Sequence, residues 1–175
     1  MPELLEVIEL GNPILRQKAQ PVQNVQSEHI QTLVENLLVT VKEANGVGIA
    51  APQVAQSDRL FIVASRPNLR YPNAPTMELT AMINPSILAH SDETVQGWEG
   101  CLSIPGIRGK VPRYRAIEVE YTGRDGKLHK QELTNFVARI FQHELDHLDG
   151  IVFIDRVNST QDLITEREYQ RLFPG

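Results

Sequence analysis

Thr134-Asn135-Phe136-Val137-Ala138-Arg139-Ile140-Phe141-Gln142-His143-Glu144-Leu145-Asp146-His147-Leu148-Asp149-Gly150 is the stretch on which the reading of this chain turns. Val137, Ile140, Glu144 and Leu148 recur on one helical face, with Phe136, His143 and His147 flanking it. Thr134 is a candidate cap and Gly150 a stop, so a helix running to Leu148 is expected. Residues four apart stack on a helix, which lets the imidazoles of His143 and His147 reach one metal ion. Glu144 follows the first histidine on the same side, where it can take a proton from a metal-activated water. An open catalytic site needs a third protein ligand, and the residue types offer Cys101, His90, His129 and carboxylates such as Asp155. Cys101 lies in Trp98–Gly106, read as turn-rich; a lone cysteine is more often an inert core residue, so residue types alone leave the choice open.

Working outward, Ile30, Leu33, Val34, Leu37, Leu38 and Val41 give a second helix over Ser27–Ala44, capped by Ser27 and stopped by Asn45-Gly46. Pro13–Arg16 starts a helical turn after Asn12. Leu60–Ala64 reads as a buried strand, and further strands are expected around Thr80–Ile83, Ile87–His90, Ala116–Tyr121 and Lys127–Leu133. The last two flank Gly123-Arg124-Asp125-Gly126, whose Asp-Gly pair signals a hairpin. Arg66–Thr76 holds Pro67, Pro72 and Pro75 and is read as a surface loop; the stretch Ser65–Met77 around it is either decoration or a mobile lid, decoration being put first. Ser159–Phe173 reads as a short third helix. Helices and strands do not alternate in βαβ units, so the class is α+β: one domain over 1–175, with antiparallel sheets around the central histidine-bearing helix.

The net charge of −5, without a basic stripe, excludes a nucleic-acid grip. No apolar run is long enough to span a bilayer, so no membrane partner is expected. Met1-Pro2-Glu3-Leu4-Leu5-Glu6 lacks a basic-then-apolar leader, and the single cysteine suits a reducing compartment; a cytoplasmic setting is expected. Gly46-Val47-Gly48-Ile49-Ala50-Ala51-Pro52-Gln53 marks a close backbone approach, either a tight turn or a place where a peptide is laid alongside as an added strand. Gln53 could donate a hydrogen bond to an oxyanion there. No Gly-Lys-Ser/Thr follows, so it is not a phosphate loop.

Taken together and in this order, Gly46–Gln53, Glu99-Gly100-Cys101-Leu102-Ser103 and Gln142–His147 resemble the three signatures of the peptide deformylase family, without a substitution. The resemblance runs from about Leu5 to Val157 and includes Leu15-Arg16, Asn84-Pro85 and Val111-Pro112-Arg113. It implies one divalent metal held by Cys101, His143 and His147, with Fe²⁺ the physiological ion and Zn²⁺ or Ni²⁺ able to replace it. Donor chemistry alone favours zinc. It further implies hydrolysis of the N-formyl group from the formyl-methionine of nascent polypeptides. In that reaction Glu144 is the general base, and the Gln53 side chain and Leu102 N–H hold the oxyanion. The peptide would pair beside Gly46, Val47, Gly48, Ile49 and Gly100, with its first side chain in an apolar pocket lined by Ile49 and Ile140. Phe136 and Gly97 are further candidates for that lining. Arg113 is read as a peptide contact or as the buried partner of Glu99. Some relatives dock on the ribosome through a basic tail. Here Asp162, Glu166 and Glu168 face only Arg167 and Arg171, so any ribosome contact is expected to be transient. Two rival readings are a zinc endopeptidase with a downstream third ligand and a non-catalytic protein with a closed structural metal site.

Overall fold

Ser27 Oγ accepts a hydrogen bond from the Ile30 N–H and opens helix α1, Glu28–Glu43, in the computed structural model, which describes residues 1–174. The helix ends where Asn45 turns into the left-handed region (φ 55°), as the Asn-Gly pair predicts. Its apolar stripe packs on one face of a five-stranded antiparallel sheet. The sheet is built from β1 (Gly48–Ala50), β2 (Leu60–Val63), β3 (Thr80–His90), β6 (Ala116–Thr122) and β7 (Leu128–Thr134), ordered β1-β2-β3-β6-β7. All four residues of β2 are buried because the sheet is covered twice. Leu60 and Ile62 meet Leu33, Leu37 and Val41 from α1. Phe61 and Val63 meet Phe141 and Leu148 from α2, Asn135–Leu148. On the far side of α2 lies a second antiparallel sheet, order β4-β5-β8, from β4 (Thr94–Cys101), β5 (Ile104–Tyr114) and β8 (Leu163–Thr165). The central helix of the α+β expectation is therefore α2, between the two sheets.

Several local expectations change. The two strands expected around Thr80–Ile83 and Ile87–His90 are one strand, β3. Its pairing with β6 shifts register between Ile83 and Ser86, where Asn84 sits at φ 50°. Asn84 stays useful there, its side chain accepting the Val22 N–H at 2.8 Å and donating to the Val22 carbonyl at 3.0 Å. Thr134 occupies the cap position of α2 but its side chain makes no capping hydrogen bond. The tail is a helix only over α3, Glu166–Leu172; the residues before it form β8, which pairs with Ile107–Gly109. The Trp98–Gly106 stretch is a hairpin rather than a string of turns, with β4 and β5 joined tightly through Leu102 and Ser103.

Gly150 closes α2 with φ 75°, and a Cβ there would meet the Arg16 carbonyl oxygen at 2.5 Å. The chain next to it is pinned in turn: the Ala19 N–H donates to the Leu148 carbonyl at 2.8 Å. Phe141 and Phe61 meet edge to face, ring centres 5.2 Å apart, at the centre of the packing between α2 and the large sheet. Phe141→Ala is expected to cost about 3–5 kcal/mol of unfolding free energy, read as a lower urea midpoint at unchanged slope.

Candidate active site

Cys101 is the last residue of β4, and the tight turn after it aims its sulfur at the inner face of α2. Cys101 Sγ lies 3.3 Å from His147 Nε2. Donor atoms of Cys101, His143 and His147 all fall within 4.8 Å of one another, the one such cluster among the described residues. The other candidates for a third ligand are engaged elsewhere. His90 stacks on Tyr114 with ring centres 3.8 Å apart, and His129 stacks on Tyr121 at 5.2 Å. Asp155 pairs with Arg16 and accepts the Val152 N–H.

Behind the cluster stands Glu99, 2% exposed. Its carboxylate takes both arms of Arg113 at 2.9 Å, one nitrogen of Arg139 at 2.7 Å and His143 Nδ1 at 2.8 Å. Burial pushes the Glu99 carboxyl up, but the hydrogen bonds from Arg113 and His143 outweigh it and hold the group far below the usual carboxylate range. With Nδ1 committed to Glu99, His143 is left to present Nε2 to the cluster. Burial disfavours the His143 cation, yet the Cys101 sulfur and Glu99 reverse this and raise its pKa well above the ordinary value. His147 goes the other way: burial first, then the charges of His143 and Arg113, push it well below. A cation entering the cluster would therefore displace a proton held by His143.

Glu144 is 3% exposed, and burial raises its carboxyl to about 7. Glu144 Oε2 and His147 Nδ1 are buried without a hydrogen-bond partner. A sulfur and two imidazoles converging beside an unpartnered carboxylate oxygen fit a borderline divalent cation with an open coordination position. Glu144 is also close to the sheet edge, because a Cβ at Gly48 would meet the Ile140 side chain at 3.0 Å and that of Glu144 at 3.1 Å. Gln53 is 1% exposed and its amide is oriented: Oε1 accepts the Ala50 N–H at 2.9 Å. Nε2 therefore donates towards Ser103 Oγ at 3.2 Å and Cys101 Sγ at 3.5 Å.

β1 pairs only with β2, so its outer edge is free, and Gly46, Val47 and Gly48 line the pocket over the cluster. Gly100, Leu102, Phe136 and Ile140 line it too. Two expected lining residues do not. Ile49 is fully buried in the core between α1 and the large sheet, since alternation turns it away from the pocket. Gly97 lies beneath the Arg139 guanidinium, 2.7 Å from where its Cβ would be. Arg113 is no peptide contact: it is buried between Glu99 and Asp146, 2.6 Å from the latter. Residue types gave no warning of Arg139, or of Arg70 and Tyr71, which reach the pocket from the proline-bearing loop; that loop is a wall rather than decoration.

Fold and site define a class: a hydrolase of peptide-like amides that works with a divalent cation. The model of the polypeptide deformylase family matches residues 4–162. Peptide deformylase 2 of Nostoc sp. is 70% identical over 171 residues, 98% of this chain and 96% of that protein. Peptide deformylase 2 of Shewanella oneidensis is 43% identical over 164 residues, 94% and 90% of the two chains. Among solved structures, a Met-Ala-Ser-bound class I type b peptide deformylase from Acinetobacter baumannii superposes with a TM-score of 0.87. It is 46% identical and covers 90% of this chain and 100% of its own. The chain belongs to the polypeptide deformylase family.

Glu99→Ala would leave Arg139 buried without its anion and Arg113 with Asp146 alone, and is expected to cost about 3–5 kcal/mol in a denaturant titration. The sign of the pH effect follows from the lowered carboxyl. Its stabilisation is complete above the unfolded-state value of 4.5 and is lost as pH falls through the lower folded value. Stability of the wild-type protein should thus fall on acidification below about pH 4.5, and Glu99→Gln should flatten that slope.

Proposed function

We propose that the chain removes the N-formyl group from the N-terminal formyl-methionine of nascent polypeptides and releases formate. The observation that carries this reading is the free edge of β1 running past the cluster, with Glu144 and Gln53 on either side. An extended peptide can add to that edge by main-chain hydrogen bonds and bring its blocked N-terminus to the cluster. The Met-Ala-Ser bound by the Acinetobacter baumannii relative fits a deformylated product.

Cys101, His143 and His147 are the residues that would hold the cation, Fe²⁺ in the cell, with Zn²⁺ or Ni²⁺ as substitutes. When bound, such an ion supplies Lewis acidity, which makes water a nucleophile near neutral pH and draws charge from a carbonyl oxygen. Glu144 takes the proton of the attacking water and hands it to the departing nitrogen, leaving formate and a free amine. A cation nearby favours its ionised form, so the carboxylate is ready to accept. The Nε2 hydrogens of Gln53 and the Leu102 N–H meet the negative charge that develops on the formyl oxygen. Gln53 does so without reorganising, because Ala50 already fixes its orientation. Gly46, Val47, Gly48 and Gly100 hold the peptide backbone, Ile49 contributing its main chain, while Ile140 and Phe136 enclose the methionine side chain.

The proposed setting is the cytoplasm, where formylated chains are made. Among the described residues no helix is long and apolar enough to cross a membrane. Its encounter with the ribosome is transient, since α3 carries Glu166 and Glu168 against Arg167 and Arg171.

The test is formate release from formyl-Met-Ala-Ser by protein loaded anaerobically with Fe²⁺. Rapid release is expected, with a loss of roughly 10²- to 10⁴-fold in Glu144→Gln at unchanged metal content. Cys101→Ala is expected to lose the metal, whereas an endopeptidase with a downstream ligand would keep it. No release by folded, metal-loaded protein would overturn the reading.

A further inference from the structure

The loop Arg66–Thr76 reaches the pocket with Arg70 and Tyr71, and the second of these is braced. Asn68 Oδ1 accepts the N–H groups of Arg70 and Tyr71, each at 2.9 Å, and so fixes the turn that points Tyr71 inward. The Tyr71 hydroxyl accepts the Gly100 N–H at 3.1 Å, just where the register between β4 and β5 shifts and that N–H has no strand partner. The ring lies against Phe136 with centres 4.8 Å apart, and both residues line the pocket. The Arg108 guanidinium stands over the same ring, 5.9 Å from its centre. Arg108 is 1% exposed and held by both oxygens of Glu166, while Tyr169 of α3 covers it at 3.9 Å. A hydroxyl anchor, an aromatic neighbour and a buried guanidinium held by a half-buried carboxylate thus surround one ring.

We propose that Tyr71 is a specificity-determining residue. Its ring, with Phe136, forms the fixed far wall of the pocket that receives the first side chain and sets the size admitted there. The inference rests on the deformylase reading of the same site. A wall discriminates by size only if it cannot retreat, and Gly100, Phe136 and Arg108 leave this ring no easy retreat. A slender, unbranched thioether passes such a wall, whereas a second aromatic ring must displace it. The C-terminal helix acquires a role in the same way, since Glu166 and Tyr169 support Arg108 from behind.

The experiment compares kcat/KM for formyl-Met-Ala-Ser and formyl-Phe-Ala-Ser in the wild-type holoenzyme, Tyr71→Ala and Tyr71→Phe. Affinity for the products Met-Ala-Ser and Phe-Ala-Ser is measured calorimetrically alongside. Tyr71→Ala should raise the Phe-to-Met ratio roughly tenfold, in catalysis and in product binding alike. Tyr71→Phe keeps the ring and should hold the ratio within about twofold while raising KM through loss of the Gly100 anchor. Tyr71→Leu, which keeps more of the packing, stands in if the alanine variant does not fold, with a ratio shifted the same way. An unchanged ratio in a folded variant that retains its metal, or an equal loss on both substrates, would overturn the proposal. Wild-type protein inactive on formyl-Met-Ala-Ser would instead strike at the function itself.

Discussion

A carboxylate buried in the middle of this protein has to be compensated, and the way Glu99 is compensated organises the site. Taking an ion out of water costs several kcal/mol even after relaxation, so Glu99 holds its place only while its lone pairs are filled. The groups that fill them come from two elements: Arg113 from β5, Arg139 and His143 from α2. Glu99 itself stands two residues before Cys101 on β4. Satisfying one anion therefore sets the hairpin against the helix, orients the His143 ring and carries Cys101 to the same place. Arg113 extends the network to Asp146, which also takes Arg156. Asp146 lies inside the His-Glu-Leu-Asp-His run, yet it turns towards the arginines while His143, Glu144 and His147 turn to the cluster. One helix thereby offers a metal-facing side and a side that anchors it.

Elements governed by local rules were legible in the residues alone. The Ser27 cap and the periodic apolar stripe gave α1 to within a residue, and Asp125-Gly126 gave the β6–β7 hairpin. The β4–β5 hairpin was not legible for a physical reason. Its strands carry Glu99, Arg108 and Arg113, charges that look solvated until the network that buries them is in place, and its glycines and prolines imitate a loop. For the same reason the third donor stayed open among Cys101, His90, His129 and Asp155, since it is a hairpin the local pattern hides that brings Cys101 beside the two histidines. Only the combination of three motifs singled out Cys101. Arg139 and Tyr71 are a different case: each acts through contacts distant in sequence, Arg139 with Glu99 and Tyr71 with Gly100.

Small residues in Gly46–Gln53 acquire a definite meaning once α2 is in place. β1 crosses so close to the helix that a Cβ at Gly48 would press on Ile140 at 3.0 Å and on Glu144 at 3.1 Å. The close approach sets a backbone edge beside the buried Glu144 carboxylate, within reach of the cluster without an intervening side chain. Ile49, one residue on, points into the opposite core and fastens the same strand to α1. Gln53 then closes the segment: its carbonyl oxygen accepts the Ile8 N–H at 2.8 Å while its amide faces Cys101. Ser103, the neighbour of Gln53, accepts the Leu10 N–H with its carbonyl oxygen at 2.8 Å, so the N-terminal stretch is tied to both residues.

A strand edge left open for substrate is also an edge open to unwanted pairing, and two features limit that liability. The first is length: β1 has three residues, enough to register a short peptide but little template for another sheet. The second is enclosure. Gly46, Val47 and Gly48 form one wall of a pocket whose opposite wall includes Gly100, Arg70 and Tyr71, so a partner strand must enter a cleft rather than lie on a flat surface. An extended segment that pairs with β1 has to pass between this edge and the loop residues Arg70 and Tyr71, so the enclosure that protects the edge also narrows what can reach it.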